Sequence, residues 1–352
     1  MQKQNVCVLF GGVSPEHEVS LMTAVSILEN IDCDRFEVFP VGITREGKWY
    51  LYKGDVSEIP GGGWESPSLP TAVISPAHDR NLIINSGGVL SLQKLDCVFP
   101  ALHGANGEDG SIQGLCAIAD IPCVGPPVAA SAVAMDKSVT KSVVERLGIR
   151  QAAFLHVRRH EYENDPESVL SRVGSRFTYP VFVKPSGTGS SVGISKVKSA
   201  DTLRGALDEA FRYDSSLLVE EFFDGREIEV AVLGNNELTV SCCGEIIPGD
   251  EFYTYDDKYI NGASADRIPA ELPRDTAEEI RSRAARIYSA VGCKGLSRID
   301  FFVHKVTNEI CFNEINTLPG FTPISMYPKL LIHGGMTYPD IITRLIELSM
   351  EK

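Results

Sequence analysis

The chain is short of positive charge. It carries 33 Lys and Arg against 47 Asp and Glu, a formal net charge of −14 over 352 residues. Nucleic-acid binders attract phosphate backbones with a basic surface, so this balance argues against that class. A local basic pocket remains compatible with it, and Lys137, Lys184 and Lys258 matter for that reason. Long apolar runs are missing too. The longest uncharged run of interest, residues 121–135, has three prolines and a glycine. That is too short and too broken to cross a bilayer. The start, M-Q-K-Q-N-V-C-V-L-F-G-G, lacks the apolar region and cleavage site of a signal peptide. A cytoplasmic protein without membrane contact is therefore expected. No repeat recurs at solenoid periods. The Walker order G-x-x-x-x-G-K-[ST] is absent, so a nucleotide would have to be held in another way. The nine cysteines are odd in number and include no C-x-x-C pair of the zinc or redox type. Most lie in apolar runs, which suits buried, reduced thiols.

What is present is ordinary in bulk and unusual in places. At 43% hydrophobic and 23% charged residues, the composition is that of a globular protein. At ~100–200 residues per domain, two or three domains fit. The stretch 297–326 is the most informative. Two runs there have strand composition, Leu296–His304 and Ile310–Asn316, with a polar turn at Thr307, Asn308 and Glu309. Alternation along the second strand predicts that Phe312, Glu314 and Asn316 face one way. Asp300 could lie opposite them, with Arg298 on the same face. Asp, Glu and Asn all offer oxygen, which suits a hard divalent cation such as Mg2+. Each residue alone reads as the polar face of a sheet. Together, followed by T-L-P-G, they read as a site.

Further up the chain, residues 5–10 form an apolar strand ending in Gly11-Gly12, and residues 21–31 have helical spacing. Strand, glycine turn and helix open a βαβ unit. S-P-E-H-E-V-S between them puts Glu16 and Glu18 at the C-terminal end of a strand, where open α/β sheets bind ligands. Glu18 also suits a helix start. Strands are expected at Phe36–Ile43, 48–52 and 95–101, and a Pro/Gly/Ser-rich surface loop at 57–80. L-H-G-A-N-G-E-D-G-S follows, in which His103 either caps a backbone group or faces a ligand. Glu108 and Asp109 are read as shaping this loop and opening a helix at Ser111.

A first domain should end near Val124-Gly125-Pro126-Pro127. Residues 179–184 form a strand that runs into K-P-S-G-T-G-S-S-V-G. Gly187 and Gly189 there let backbone N–H groups approach an anion closely. Lys184 would meet phosphate as a point charge. An amphipathic helix at 200–211, a strand at 217–223 and helices at 276–291 and 339–350 complete the outline. The segment 244–267 is long, aromatic and acidic. Loops of that length are usually functional or disordered, and its aromatics favour a closing lid.

S-R-I-D with N-E-I-N-T-L-P-G-F-T-P-I-S-M-Y-P, joined by E-H-E-V-S, H-G-A-N-G-E-D-G, M-D-K and K-P-S-G-T-G-S-S, resembles the D-alanine–D-alanine ligases of the ATP-grasp superfamily. The matching blocks run in family order over nearly the whole chain. The resemblance implies an α/β (α+β) ATP-grasp fold of three domains. An N-terminal open parallel sheet on the first-substrate side would span 1–125. Two ATP-clamping α+β domains would follow, a central one with the glycine-rich lid at 126–215 and a C-terminal one with the metal site and lid loop at 216–352.

The resemblance also implies roles. Glu16 would meet the ammonium of the first D-alanine and His103 its carboxylate, with Ser190 and Tyr259 coupling lid closure to that site. Lys137, Lys184, Ser191 and Lys258 would hold the phosphates of ATP. Glu220, Glu221 and Phe223 would flank the adenine, and Glu227 would take the ribose. Asp300, Glu314 and Asn316 would hold two Mg2+ (or Mn2+) ions. Arg298 and the Gly320 N–H would form the oxyanion hole. Ser325 and Met326 would bind the second substrate. The partners implied are ATP, two D-alanines and a second copy in a homodimer, with no nucleic acid. D-serine is the alternative second substrate; Tyr259 and Met326 lean towards D-alanine. A catalytically silent nucleotide-binding regulator would have lost a metal ligand or Arg298, and another carboxylate–amine ligase would lack E-H-E-V-S.

Overall fold

The computed structural model describes residues 3–189, 192–247 and 265–351. Its strands form three sheets. The first contains β1 (Gln4–Gly11), β2 (Phe36–Ile43), β3 (Trp49–Leu51), β4 (Thr71–Ile74), β5 (Asn81–Ser86), β6 (Val89–Lys94) and β7 (Cys97–Pro100), in the order β6-β5-β4-β3-β2-β1-β7. β1 runs parallel to β2 and β7. From Val6 to Gly11 it is buried throughout, as expected of a strand covered on both faces. The parallel sheet read from the sequence is thus these three strands. From β3 outward the pairing is antiparallel.

Part of that antiparallel half corrects the reading of 57–80 as surface loop. Ile59 and Trp64 are fully buried, and β4 alternates exposed and buried residues, with Ala72 and Ile74 inside. The helix after β1 also begins earlier than expected, at His17, and runs to Asn30. Its first turns bury Ser20 and Thr23, polar residues that resemble a solvent face. Ser20 accepts from the Gly11 N–H and donates to the Ala101 carbonyl, which ties the helix to the ends of two strands.

The second sheet contains β8 (Phe154–Arg158), β9 (Val181–Pro185), β10 (Ser195–Val197) and β11 (Ser216–Glu221), in the order β10-β9-β11-β8. Its core is Val157, Val181, Val183, Leu217 and Val219 against helices Pro166–Arg176 and Ala200–Ala210. A boundary after residue 215 would separate β11 from the strands it pairs with, β8 and β9. The third sheet contains β12 (Gly225–Gly234), β13 (Leu238–Val240), β14 (Gly244–Ile247), β15 (Ala265–Arg267), β16 (Leu296–His304) and β17 (Ile310–Asn316). Its order is β15-β14-β12-β16-β17, with β13 paired to β12. Helix Arg274–Val291 covers one face through Ile280, Ala284 and Ile287.

The chain closes back on its beginning. Tyr327, Leu330, Ile341 and Leu345, from helices Met326–His333 and Tyr338–Met350, share a core with Phe10, Ala24, Ile27 and Phe99. This packing brings the 317–325 loop against the 103–110 loop. All nine cysteines are free thiols, and Cys33 is the exposed one. Among the described residues no helix is long and apolar enough to cross a membrane.

Candidate active site

The antiparallel register sets the site. Asp300 lies opposite Glu314 on β17 and opposite Glu229 on β12, while Arg298 lies opposite Asn316. Directly opposed residues share a face, so three carboxylates form a row across three strands beside Arg298 and Asn316. The register then slips, because Phe301 pairs with Phe312. Asn313 is the extra residue of a bulge, and an extra residue inverts the alternation. This corrects the expectation from simple alternation: Phe312 does not share the face of Glu314 and Asn316. It is buried edge-on to Phe301, centroids 6.1 Å apart.

Arg298 donates Nε to Asp300 Oδ1 at 2.8 Å and Nη2 to Oδ2 at 2.7 Å. Its Nε is also 3.0 Å from Glu229 Oε2. Burial opposes the Arg298 charge, but Asp300 and Glu229 outweigh it and raise the guanidinium pKa well above its ordinary value. Asn316 donates Nδ2 to Asp300 Oδ2 at 2.9 Å, which leaves its Oδ1 as the acceptor of the amide. Two carboxylates and one carboxamide are an all-oxygen set that fits Mg2+ or Mn2+, with waters and ligand phosphates completing the shell. Among the described residues no group of three or more His, Cys, Asp or Glu is by itself placed to hold a metal ion.

Glu314 and Asn316 line a cavity of about 620 Å³ between the second and third sheets, while their cross-strand partners Asp300 and Arg298 are not among its lining residues. Lys137, Lys184, Phe182 and Glu220 line one side, and Phe302 and Glu314 the other. Lys137 opens helix Lys137–Arg146, whose N–H groups at Ser138 and Val139 are capped by Asp136. Its Nζ reaches the Thr188 carbonyl at 2.6 Å, in the glycine-rich loop. Lys184 Nζ lies 2.8 Å from Glu220 Oε2. Burial lowers the Lys184 pKa, yet Glu220 outweighs it and the net shift is upward.

Glu220 also meets a lysine that the sequence reading missed, Lys141, at 3.0 Å. Burial raises the Glu220 pKa, but the two lysines together hold it down at about 2. Spacing was the available signal, since Lys141 lies four residues after Lys137 on one helix face. Glu221 also lines the cavity, and it accepts the Ala153 N–H at 2.9 Å and lies 3.2 Å from Arg150. Phe223 stacks near Phe302, centroids 6.4 Å apart. Glu227, opposite Phe302, lines the same cavity.

The first-substrate residues gather at the other end. Glu16 is buried at the start of its helix. A methyl group at Gly189 would lie 3.1 Å from Glu16 Oε2, and one at Gly104 only 2.3 Å from it. The glycines thus let both loops approach this carboxylate. Glu108 accepts the Gly104 N–H at 2.8 Å and the Leu318 N–H at 3.4 Å, joining the two loops. Burial and nearby Glu16 push its carboxyl up to about 8. His103 shares a 2.9 Å hydrogen bond with Thr23 Oγ1. Ser325 precedes helix Met326–His333 and its Oγ accepts the Thr322 N–H at 3.1 Å. A methyl group at Gly320 would lie 2.7 Å from that Oγ. The Met326 side chain is in the core, so its backbone N–H is what the helix start presents. Ser190, Ser191, Lys258 and Tyr259 lie outside the described residues.

Burial lowers the His103 pKa to about 4, so the ring is neutral near pH 7. The folded value lies below the unfolded value of about 6.5, so the unfolded chain takes the proton first as pH falls. Between those values stability should fall by roughly 1–3 kcal/mol as pH drops. Thermal melts at pH 7 and pH 5 should therefore differ less in His103→Gln than in the parent protein. An equal difference would remove the assignment.

Family models described as D-ala D-ala ligase N-terminus and D-ala D-ala ligase C-terminus match residues 5–126 and 143–347. The D-alanine–D-alanine ligase of Acetivibrio thermocellus is 49% identical, covering 99% of this chain and 96% of its own length. That of Clostridium novyi is 45% identical, covering 99% of both. Among solved structures, a D-Ala:D-Ser ligase from Enterococcus faecalis matches with TM-score 0.88 and 37% identity, covering 99% of this chain and all of its own. A D-alanine–D-alanine ligase from Coxiella burnetii matches with TM-score 0.86 and 34% identity, over 99% of this chain and 94% of its own.

Proposed function

The chain belongs to the D-alanine–D-alanine ligase family, and we propose that it joins two D-alanines into D-alanyl-D-alanine, converting ATP to ADP and phosphate, for peptidoglycan precursor synthesis. The observation that carries the site assignment is Arg298 forked onto Asp300 beside Asn316 and Glu314, the last two of which line a lysine-bearing cavity.

The first carboxylate attacks the γ-phosphorus of ATP; an acyl phosphate forms and ADP leaves. The second amine attacks the acyl carbon, and phosphate leaves from the tetrahedral intermediate. The obstacle is repulsion between a carboxylate and a triphosphate. Asp300, Glu314 and Asn316 would hold two Mg2+ (or Mn2+) ions, whose charge would offset the phosphates. Lys137 and Lys184 add positive charge at the cavity wall. Positioning and electrostatics suffice for phosphoryl transfer, so no protein nucleophile is required. Arg298 and the Gly320 N–H stabilise the oxyanion. Glu16 holds the first ammonium, and His103 lies as a polar group beside the first carboxylate by resemblance. Ser325 and the Met326 N–H take the second carboxylate. Ser190, Ser191, Lys258 and Tyr259 complete the lids and the phosphate site by resemblance, and a closed lid keeps water from the acyl phosphate.

Gly104→Ala tests the first-substrate end. Gly104 has φ +67° and its added methyl would overlap Glu16 Oε2, so the carboxylate must move. The expected loss is roughly 10–100-fold in kcat/KM for D-alanine, and parent-like kinetics would contradict the role of Glu16. The buried Met326 side chain offers the second substrate no polar group, which favours D-alanine over D-serine. Phosphate release with ATP and D-alanine alone, with added D-serine or with added D-lactate tests this. D-alanine alone should support full turnover. No turnover with any D-amino acid would overturn the activity. The same reading divides the chain at about 1–125, 126–221 and 222–352, and makes it a cytoplasmic homodimer.

A further inference from the structure

We propose that Lys141 is a positioning residue of the nucleotide site, acting through Glu220 so that this carboxylate does not fully cancel the positive charge that Lys184 presents to the phosphates. This deepens the ATP-dependent reading above and rests on it.

Lys141 lies on helix Lys137–Arg146 with its side chain only 3% exposed. Its Nζ is 3.0 Å from Glu220 Oε1 and 5.3 Å from the centroid of the Phe154 ring. Gln151 Nε2 donates to the Lys141 carbonyl at 2.8 Å, which fixes the backbone beneath it. The other oxygen of Glu220, Oε2, lies 2.8 Å from Lys184 Nζ. Glu220 is thus shared by two ammonium groups, one on each oxygen. Lys184 and Glu220 line the cavity, and Lys141 stands behind Glu220.

The charge count decides what this does. Within the trio, two lysines and one glutamate leave one surplus positive charge; Glu314 also acts on Lys184, but it is the carboxylate assigned above to the metal ions. Lys184 is 14% exposed and Lys141 is 3% exposed, so the surplus can be used only at Lys184. Without Lys141, Lys184 and Glu220 would cancel. Lys184 would also be drawn more tightly onto the carboxylate, and an entering phosphate would meet a neutral pair. A lysine is rarely buried unless paired, and replacing a buried ion pair by apolar groups is often neutral for stability. Stability alone is therefore a poor reason for this arrangement.

The test uses the full chain with Lys141→Met, Lys141→Arg, Glu220→Gln and the double variant Lys141→Met/Glu220→Gln. ADP affinity is read by calorimetry without D-alanine, and KM for ATP and kcat by phosphate release. Lys141→Met should weaken ADP and raise KM for ATP by about 10–100-fold, with kcat within about threefold. Lys141→Arg should restore both. In the Glu220→Gln background, Lys141→Met should change ADP affinity less than about threefold, because the residue through which it acts is gone. That comparison stands even if the single variant fails to fold, since the double variant leaves no buried carboxylate short of a partner. Unchanged ADP affinity in Lys141→Met, a loss confined to kcat, or a further large loss in the double variant would overturn the proposal. Failure of the parent protein to bind ADP would instead overturn the ATP-dependent reading itself.

Discussion

A protein carrying Arg298→Lys is expected to fold, to bind ADP within a few-fold of the parent, and to lose roughly 100–1000-fold in kcat. The argument is geometric. Arg298 holds both oxygens of Asp300 through two different nitrogens and reaches Glu229 through Nε. A planar fork can anchor on one carboxylate and still present N–H groups to an oxyanion. A lysine keeps the charge but not the fork. Keeping the charge matters for the test, because Asp300 and Glu229 are 1% and 3% exposed. Arg298→Met would remove the charged partner of both carboxylates, at about 3–5 kcal/mol in stability, and would confuse unfolding with lost catalysis. Thermal melting and kcat measured together separate the two. Arg298→Lys activity within tenfold of the parent would remove Arg298 from the oxyanion role.

Glu314→Gln should abolish turnover, to below about a thousandth of the parent rate, and leave the fold intact. The change keeps size and shape and removes one negative charge. Glu314 is partly exposed at the cavity wall, directly across from Asp300. Without a bound cation, repulsion from Asp300 across the strand pair is opposed by attraction to Arg298 and Lys184, both of which Glu314 helps to keep charged. In EDTA the variant should therefore melt close to the parent. With Mg2+ and ADP present the parent should melt clearly higher, because it gains stability from the metal–nucleotide complex and the variant does not. Parent-like activity, or equal stabilisation by Mg2+ and ADP, would remove Glu314 from the metal site.

Much of the site could be read from composition because the apolar runs that mark its strands are sharply bounded. β2, β16 and β17 end where their apolar patterns end. The bulge at Asn313 could not be read this way. One inserted residue changes no composition, yet it reverses the face of Phe312. The β5–β6 hairpin escaped because it offers no alternation: Val89, Leu90 and Leu92 are all 65–70% exposed. The start of the helix at His17 was hidden by buried hydroxyls at Ser20 and Thr23, which only the neighbouring strand ends explain. The placement of β11 between β9 and β8 is a long-range pairing that no local pattern encodes. Lys141 reads as a solvated helix residue until Glu220 is brought to it across the fold.

Everything proposed for the chemistry assumes that the carboxylate of a D-alanine becomes phosphorylated. D-alanine labelled with oxygen-18 in its carboxylate tests this without any variant. Attack on the γ-phosphorus followed by expulsion of phosphate carries one labelled oxygen from the amino acid into inorganic phosphate. Mass spectrometry should find that label in the phosphate released with each peptide bond formed. Unlabelled phosphate accompanying D-alanyl-D-alanine would contradict the account.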